Sequence, residues 1–485
     1  MASKLSTVRA FAVVLVVALV ASSGATAAAG STATASSVTQ VTTCGTIDSP
    51  GMYVLSEDIE NAPSDGCFTV EANYVSIYGE GHTIVTENAT GPAVEAEGVD
   101  QVVVSGVVAS GWQTGVAFDD VDGGAVVGNE FRDVSVVGVS LRDGTSIVQV
   151  SRNVMTGGTD GVRITLADAG NVVRNNEFTD LTGTAVTVTT LSEETTVANN
   201  TVANVSGDAV RVSNSRSATI VENTVTGSVG AIDVDDAAGV TVRNNVVRDV
   251  DSTAIRVDDG ASASAAASDP ATSAAARQYE AFQLFASAPE DDSESRIVNN
   301  TVTGTPNRGI VVNETASTTI ADNNVTAAKD GVYVHGSTGV TVTDNRIAGS
   351  GDDGVALAST ANVTVARNDV TASGDNGIYV VGADNTVRNN TVTRNGDDGV
   401  DLQNATRARV IDNAFVNNTD DGVFLRDTHN ATVLGNEIRA NGDDGVDVRA
   451  SSWNVVENNT VCGNGDLRVR ERRGAGNNAI ANNSC

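Results

Sequence analysis

Four short segments set two carboxylates side by side before a glycine: GDDGVAL from Gly351, NGDDGVDL from Asn395, TDDGVFL from Thr419 and NGDDGVDV from Asn441. Paired carboxylates can do acid–base work on a glycosidic bond, or hold a hard cation through oxygen. As catalytic candidates these segments and their neighbours provide Asp352, Asp353, Asp375, Asp397 and Asp398. As cation ligands they provide Asp353, Asp398, Asp421 and Asp444, with Ca2+ as the ion that would suit them. A plainer reading is available, because Asp and Asn before Gly are ordinary turn residues. A reaction needs one dyad, whereas a scaffold corner recurs. The recurrence therefore favours solvated acidic turns over chemistry.

The elements that carry these turns follow from a second pattern. Asn-x-apolar occurs at Asn129, Asn153, Asn176, Asn200, Asn223, Asn245, Asn300, Asn323, Asn345, Asn368, Asn390, Asn413, Asn436 and Asn459. The steps are 22 to 24 residues, with one of 55. Each unit holds three short runs rich in Val, Ile and Thr, punctuated by Gly, Asn and Asp, as strands separated by corners would be. A unit this small cannot bury its apolar face alone, but stacked on its neighbours it can. The predicted fold is all-β: a right-handed, single-stranded parallel β-helix, a solenoid with three strands per coil and 22–24 residues per coil. About sixteen coils at strand spacing would make a rod roughly 80 Å long. The asparagine is expected to turn the corner in the left-handed backbone region, and to stack by amide hydrogen bonds with its copies in neighbouring coils.

The rest of the chain is placed around this array. Residues 1–29 read as a secretory signal peptide: Lys4 and Arg9, an apolar run from Phe11 to Val20, then Ala-x-Ala sites. Residues 30–43 read as a flexible linker, 44–80 as an N-terminal cap, 81–461 as the β-helix and 462–485 as a C-terminal cap coil. The 55-residue step holds an insertion at 260–295, where Tyr279, Phe282 and Phe285 fall at helical spacing. Cys44 and Cys67, and Cys462 and Cys485, pair off at the two ends as disulfides of an exported protein. The formal charge of −32, with lysine only at positions 4 and 329, excludes a nucleic-acid partner. It also resembles the composition of proteins that work in strong brine. No later stretch is apolar enough to be an integral membrane segment, and the chain is expected to be a monomer outside the cell or at its surface. Asn-x-Ser/Thr sequons, among them Asn204, Asn362, Asn404 and Asn430, are candidates for glycosylation.

YGEGHTI, the Asn-x-Val/Ile/Phe series and the GDDGV-type corners resemble right-handed parallel β-helix repeat proteins. These are the NosD-like and the carbohydrate-binding and sugar-hydrolase families, which share the pectate lyase-like fold, in haloarchaeal secreted form. The resemblance implies a polysaccharide or glycan as partner, bound along the solenoid face. It implies two alternatives: a polysaccharide lyase or glycoside hydrolase, or an accessory factor for metalloenzyme maturation. GDDGVAL is similar to a polygalacturonase segment, but the Gly-His-Gly and Arg/Lys motifs that follow it in that family are missing here. Copper ligation finds no support, since His82, His335 and His429 are dispersed and no metal set is formed.

Overall fold

The computed structural model describes residues 38–87, 89–258 and 294–485. The leader at 1–29 and almost all of the insertion at 260–295 lie outside the described residues. The described chain is a right-handed parallel β-solenoid of about 17 turns with three strands per coil and no helix. Its strands align in three sheets along the axis: sheet A of 19 strands, sheet B of 18 and sheet C of 16. Every strand pairing is parallel, as it must be when the chain returns to the same wall once per coil.

Solenoid pairing starts earlier than the sequence suggested. Strand β1 (Val38–Val41) falls inside the stretch read as linker, yet pairs with β3 (Gly51–Leu55) in sheet A, while β2 (Gly45–Ile47) opens sheet B. The end pieces are themselves coils in register with the wall. The disulfides clamp adjacent coils at each end, with Cα separations of 4.5 Å for Cys44–Cys67 and 4.9 Å for Cys462–Cys485.

Within a coil, alternation decides which side chains go in. In sheet C the middle residue of each three-residue strand points inward, and the column includes Ile84, Phe131, Met155, Phe178, Phe415 and Ile438, all buried. With like residues directly above one another at strand spacing, apolar side chains pack along the axis as well as across it. Trp112, the largest buried side chain, satisfies its indole N–H on the Ile84 carbonyl at 2.9 Å.

The corner from sheet A to sheet C solves a polar problem. There the backbone leaves the ladder, and its N–H and C=O groups would be buried without partners. Each ladder asparagine sits at this corner, buried, with one amide doing three jobs. Asn200 Oδ1 accepts both the backbone N–H and the amide N–H of Asn176, while Asn200 Nδ2 donates to Val173 O and to Asn223 Oδ1, all within 2.9–3.0 Å. The chain of amides runs without a break from Asn129 to Asn483. It even bridges Asn245 to Asn300 across the insertion. The left-handed residue, however, is not the ladder asparagine. It is the residue before it, such as Arg152, Asn175, Glu222, Asp322 and Arg367, with φ of 56–58°. The asparagine is required for its amide, and the bend tolerates several side chains one position earlier.

Removing one rung tests this. In Asn223→Ala, two donors of Asn200 lose their acceptor, at roughly 1–3 kcal/mol per buried unsatisfied group. The melting temperature should fall clearly, and amide exchange should accelerate around Asn200 and Asn245. The exposed corner control Asn204→Gly should change neither; an unchanged Asn223→Ala would refute the role of the amide column.

Candidate functional site

The Asp pairs lie where each coil passes from sheet C into sheet B. Their local conformation is set by the glycine that follows. Gly354, Gly377, Gly399, Gly422 and Gly445 are not left-handed. A Cβ on them would instead come within 2.1–2.8 Å of the inward side chains Val370, Val392, Phe415, Ile438 and Val461. Glycine is needed for close approach to the core, not for a turn conformation.

That tight entry buries the second member of each pair. Asp353, Asn376, Asp398, Asp421 and Asp444 form one column inside the corner, each at most 9% exposed. Asp353 Oδ1 accepts the Asn376 backbone N–H, Asn376 Oδ1 that of Asp398, Asp398 Oδ1 that of Asp421, and Asp421 Oδ1 that of Asp444. This corrects the expectation of solvated acidic turns for these residues. The burial arises because the following glycine draws the backbone against the core. Beside them a second amide ladder, Asn395–Asn418–Asn441–Asn464, closes the same corner. Its sequence signal, Asn two residues before the pair, was present but overshadowed by the longer ladder.

Burial shifts these acids upward, with neighbouring carboxylates adding to it. The Asp353 carboxyl is raised to about 7, Asp398 to about 9 and Asp421 to about 8, each chiefly by loss of water around the charge. Asp444 moves in the same direction for the same first reason. The first members of the pairs line the rim: Asp352, Asp375, Asp397 and Asp443 are half-buried and Asp420 is exposed. Asp375 and Asp397 are also raised, by burial first and by the adjacent carboxylates next.

Among the cation candidates, Asp398, Asp421 and Asp444 each join groups of three carboxylates with oxygens within 4.8 Å of one another, and Asp353 joins none among the described residues. The innermost group adds Asp447 to Asp421 and Asp444. Its counter-charge comes from the protein: Arg470 Nε lies 3.0 Å from Asp444 Oδ2, and Arg472 Nε 2.8 Å from Asp447 Oδ2.

The outward face of sheet B holds the groups that spacing of Asp pairs did not reveal. In the segments GVDLQ, GVFLR and GVDVR the residues on either side of the middle position point inward, so Asp401, Phe424 and Asp447 stand on the outer wall in one register. Tyr379 and Tyr333 belong to the same column. Arginines from the strand ends fold over it. Arg426 Nη2 donates to Asp401 Oδ2 at 3.2 Å and to Gln403 Oε1 at 2.9 Å, and the Tyr379 hydroxyl meets Gln403 Oε1 at 2.8 Å. Arg426 and Arg449 flank the Phe424 ring at 5.4 and 4.9 Å. Arg308, held by Asp330 at 2.7 Å, lies 3.6 Å over the Tyr333 ring, and His335 stacks parallel beside that ring. Asp401 and Asp447 are buried beneath these arginines, and Asp401 Oδ1, Asp447 Oδ1, Arg426 Nε and Arg449 Nε, all buried atoms, have no hydrogen-bond partner in the protein. Asp401 is raised to about 6, by burial first, with Arg426 opposing. The alternation V-x-L, with an acid between two core residues, was the available signal. The result is a wall of fixed donors, acceptors and ring faces, suited to a hydroxyl-rich ligand.

The family model described as right handed beta helix region matches residues 114–269, 289–419 and 330–485. No curated protein matches the chain. Among solved structures, the chain is similar to a periplasmic alginate epimerase, at 12% identity and a TM-score of 0.36, covering 85% of this chain and 79% of that one. It is also similar to the A-module of an Azotobacter vinelandii mannuronan C-5 epimerase, at 13% identity and a TM-score of 0.35, covering 76% and 90%. A tailspike protein of an E. coli bacteriophage, in complex with a pentasaccharide, gives 11% identity and a TM-score of 0.36, covering 90% and 72%.

The buried aspartate column makes stability depend on pH. A carboxyl raised in the fold favours the protonated form there, so its contribution is complete below the ordinary value of 3.8 and is lost as pH rises through about 7 to 9. The melting temperature should therefore fall between pH 6 and 10. Asn376 already fills one rung of the column, so Asp398→Asn combined with Asp421→Asn should fold and flatten that decline. An unchanged slope in the double variant would contradict the assignment.

Proposed function

Because the chain belongs to the right-handed β-helix family, we propose that it is an exported glycan-binding rod that engages polysaccharide along the outer wall of sheet B. The observation that carries this reading is the clustering of Tyr333, Tyr379, Phe424, Arg308, Arg426 and Asp401 on one wall of a chain with only 4% aromatic residues. Ring faces offer stacking to sugar C–H groups, and the half-exposed arginines, fixed by buried aspartates, offer donors to hydroxyls. Two disulfides support export to an oxidising compartment. The net charge supports work in salt, where screening relieves self-repulsion. Among the described residues no helix is long and apolar enough to cross a membrane.

A second reading rests on Asp401. A carboxyl near 6, carrying one free oxygen beside Arg426 and close to Tyr379, is a group able to exchange a proton near neutrality. In that reading the protein cleaves the glycan it binds, with Asp401 rather than Asp353 or Asp398 as the acid–base group. The oxygens of Asp353 and Asp398 that accept backbone N–H groups serve the scaffold instead.

Titration calorimetry against a panel of neutral and acidic oligosaccharides tests the first reading. Tyr379→Ala should weaken binding at least about tenfold, or 1.4 kcal/mol, with little change in melting temperature, whereas Arg426→Ala should weaken it as much and also lower the melting temperature, because the buried Asp401 loses its counter-charge. Absence of binding across the panel would end it. Reducing-sugar and unsaturated-uronate assays test the second: Asp401→Asn should abolish turnover while binding persists, and no turnover on any bound glycan removes it.

A further inference from the structure

The outward column of sheet B has a period of its own. From the sixth rung on, following the strand register, the residues are Arg163, Thr187, Arg211, Asp233, Arg256, Val311, Tyr333, Ala356, Tyr379, Asp401, Phe424, Asp447 and Arg470; the five rungs before them, Thr46, Thr69, Glu95, Ala117 and Ser140, carry no such alternation. From Arg163 on, every second coil presents a planar π group, a guanidinium at Arg163, Arg211, Arg256 and Arg470 and an aromatic ring at Tyr333, Tyr379 and Phe424, and every intervening coil presents a small or acidic side chain. The alternation holds through these thirteen of the eighteen rungs of sheet B and crosses the insertion without slipping, because Arg256 pairs directly with Val311.

Coil geometry alone does not produce this. The backbone repeat is one coil, and the inward columns follow it: the buried positions flanking Asp401 are Val400 and Leu402, those flanking Phe424 are Val423 and Leu425, and those flanking Asp447 are Val446 and Val448. Only the outer wall doubles the period. Lateral packing favours a large side chain beside a small one, but it does not require the large one to be planar at every occurrence. In the N-terminal part the intervening acid balances charge, with Asp233 between Arg211 at 3.7 Å and Arg256 at 3.8 Å. In the C-terminal part Ala356 leaves a gap between Tyr333 and Tyr379.

Resting on the glycan-binding reading, we propose that the ligand is a linear glycan whose chemical repeat is two sugars, lying along the solenoid axis with one repeat per two coils. Two coils span about 9.6 Å at strand spacing. A pyranose with its glycosidic bond is comparable in length to one coil, so a disaccharide keeps step with the planar groups. One sugar of each pair stacks at a planar rung. The other faces the small or acidic rung, where Arg426, laid over the buried Asp401, donates to hydroxyls. The alternating stretch, roughly 58 Å by the same spacing, would take about six repeats.

The test is affinity against oligosaccharide length. Oligomers of a neutral disaccharide-repeat polymer (agarose) and a singly charged one (hyaluronan) are titrated beside homopolymer oligomers, neutral (dextran) and acidic (polygalacturonate). The expected result is that at least one alternating series binds and gains affinity in steps of two sugars, at least threefold more tightly at equal length than either homopolymer. Thr187→Tyr, which fills an intervening rung, should weaken long oligomers while circular dichroism stays unchanged. Should that variant misfold, Tyr333→Leu, which keeps bulk but removes the tyrosine ring, provides the same comparison. Homopolymers binding as tightly, or affinity rising evenly with each sugar, would overturn the two-sugar register while leaving glycan binding intact. Failure of all four series would overturn both.

Discussion

The structure depends on how buried backbone polar groups are satisfied at the corners of a coil. Along the walls, parallel strand pairing does this automatically. At a corner it cannot, and a side chain with both a donor and an acceptor has to take over. Asparagine meets that need in a way aspartate or serine cannot, because one amide can accept twice from the coil before and still donate to the coil after. The result is a continuous spine through the protein, and it explains why the repeat survives a large insertion: Asn245 and Asn300 are neighbours in space whatever lies between them. Stability in such a rod is a sum of local coil and interface terms, so each spine residue matters mainly to its own neighbourhood.

A second consequence is that the corner into sheet B can be built with aspartate in the place of an amide. Asp353, Asp398, Asp421 and Asp444 accept a backbone N–H from the next coil as Asn376 does, but they have no proton to offer unless they keep their own. Burial then pushes the proton onto them. The acidic corner is structural in geometry and titratable in chemistry, and these two properties come from the same lack of water. It borders the outer wall of sheet B, so the wall's arginines face both the column and Asp401 and Asp447. The face proposed to meet a ligand is therefore held rigid by charge pairs rather than by loops.

The doubled period of the outer wall separates scaffold from surface. Inward positions obey the coil, since they must fill one continuous core. Outward positions answer only to solvent, to lateral neighbours and to whatever binds. An ordering there that the backbone does not impose is where selection by a ligand would leave its mark.

The step of 22–24 residues settled the fold class from sequence, because a short β unit with one apolar face has few ways to bury it other than stacking. The positions of the ladder asparagines and the end pairing of the cysteines were legible for the same reason: translation by one coil preserves register. Burial of the Asp pairs was not legible, since Asp-Asp-Gly has the composition of an exposed turn. Only the approach of Gly399 to Phe415, or Gly422 to Ile438, shows that the corner is pulled inward. Nor was the outer wall legible, because Tyr379, Asp401 and Phe424 are more than twenty residues apart in the chain and become neighbours only when coils stack. Periodicity is a property of the chain and can be read from it; proximity between coils is a property of the packed solid, where side-chain size, burial and charge are resolved together.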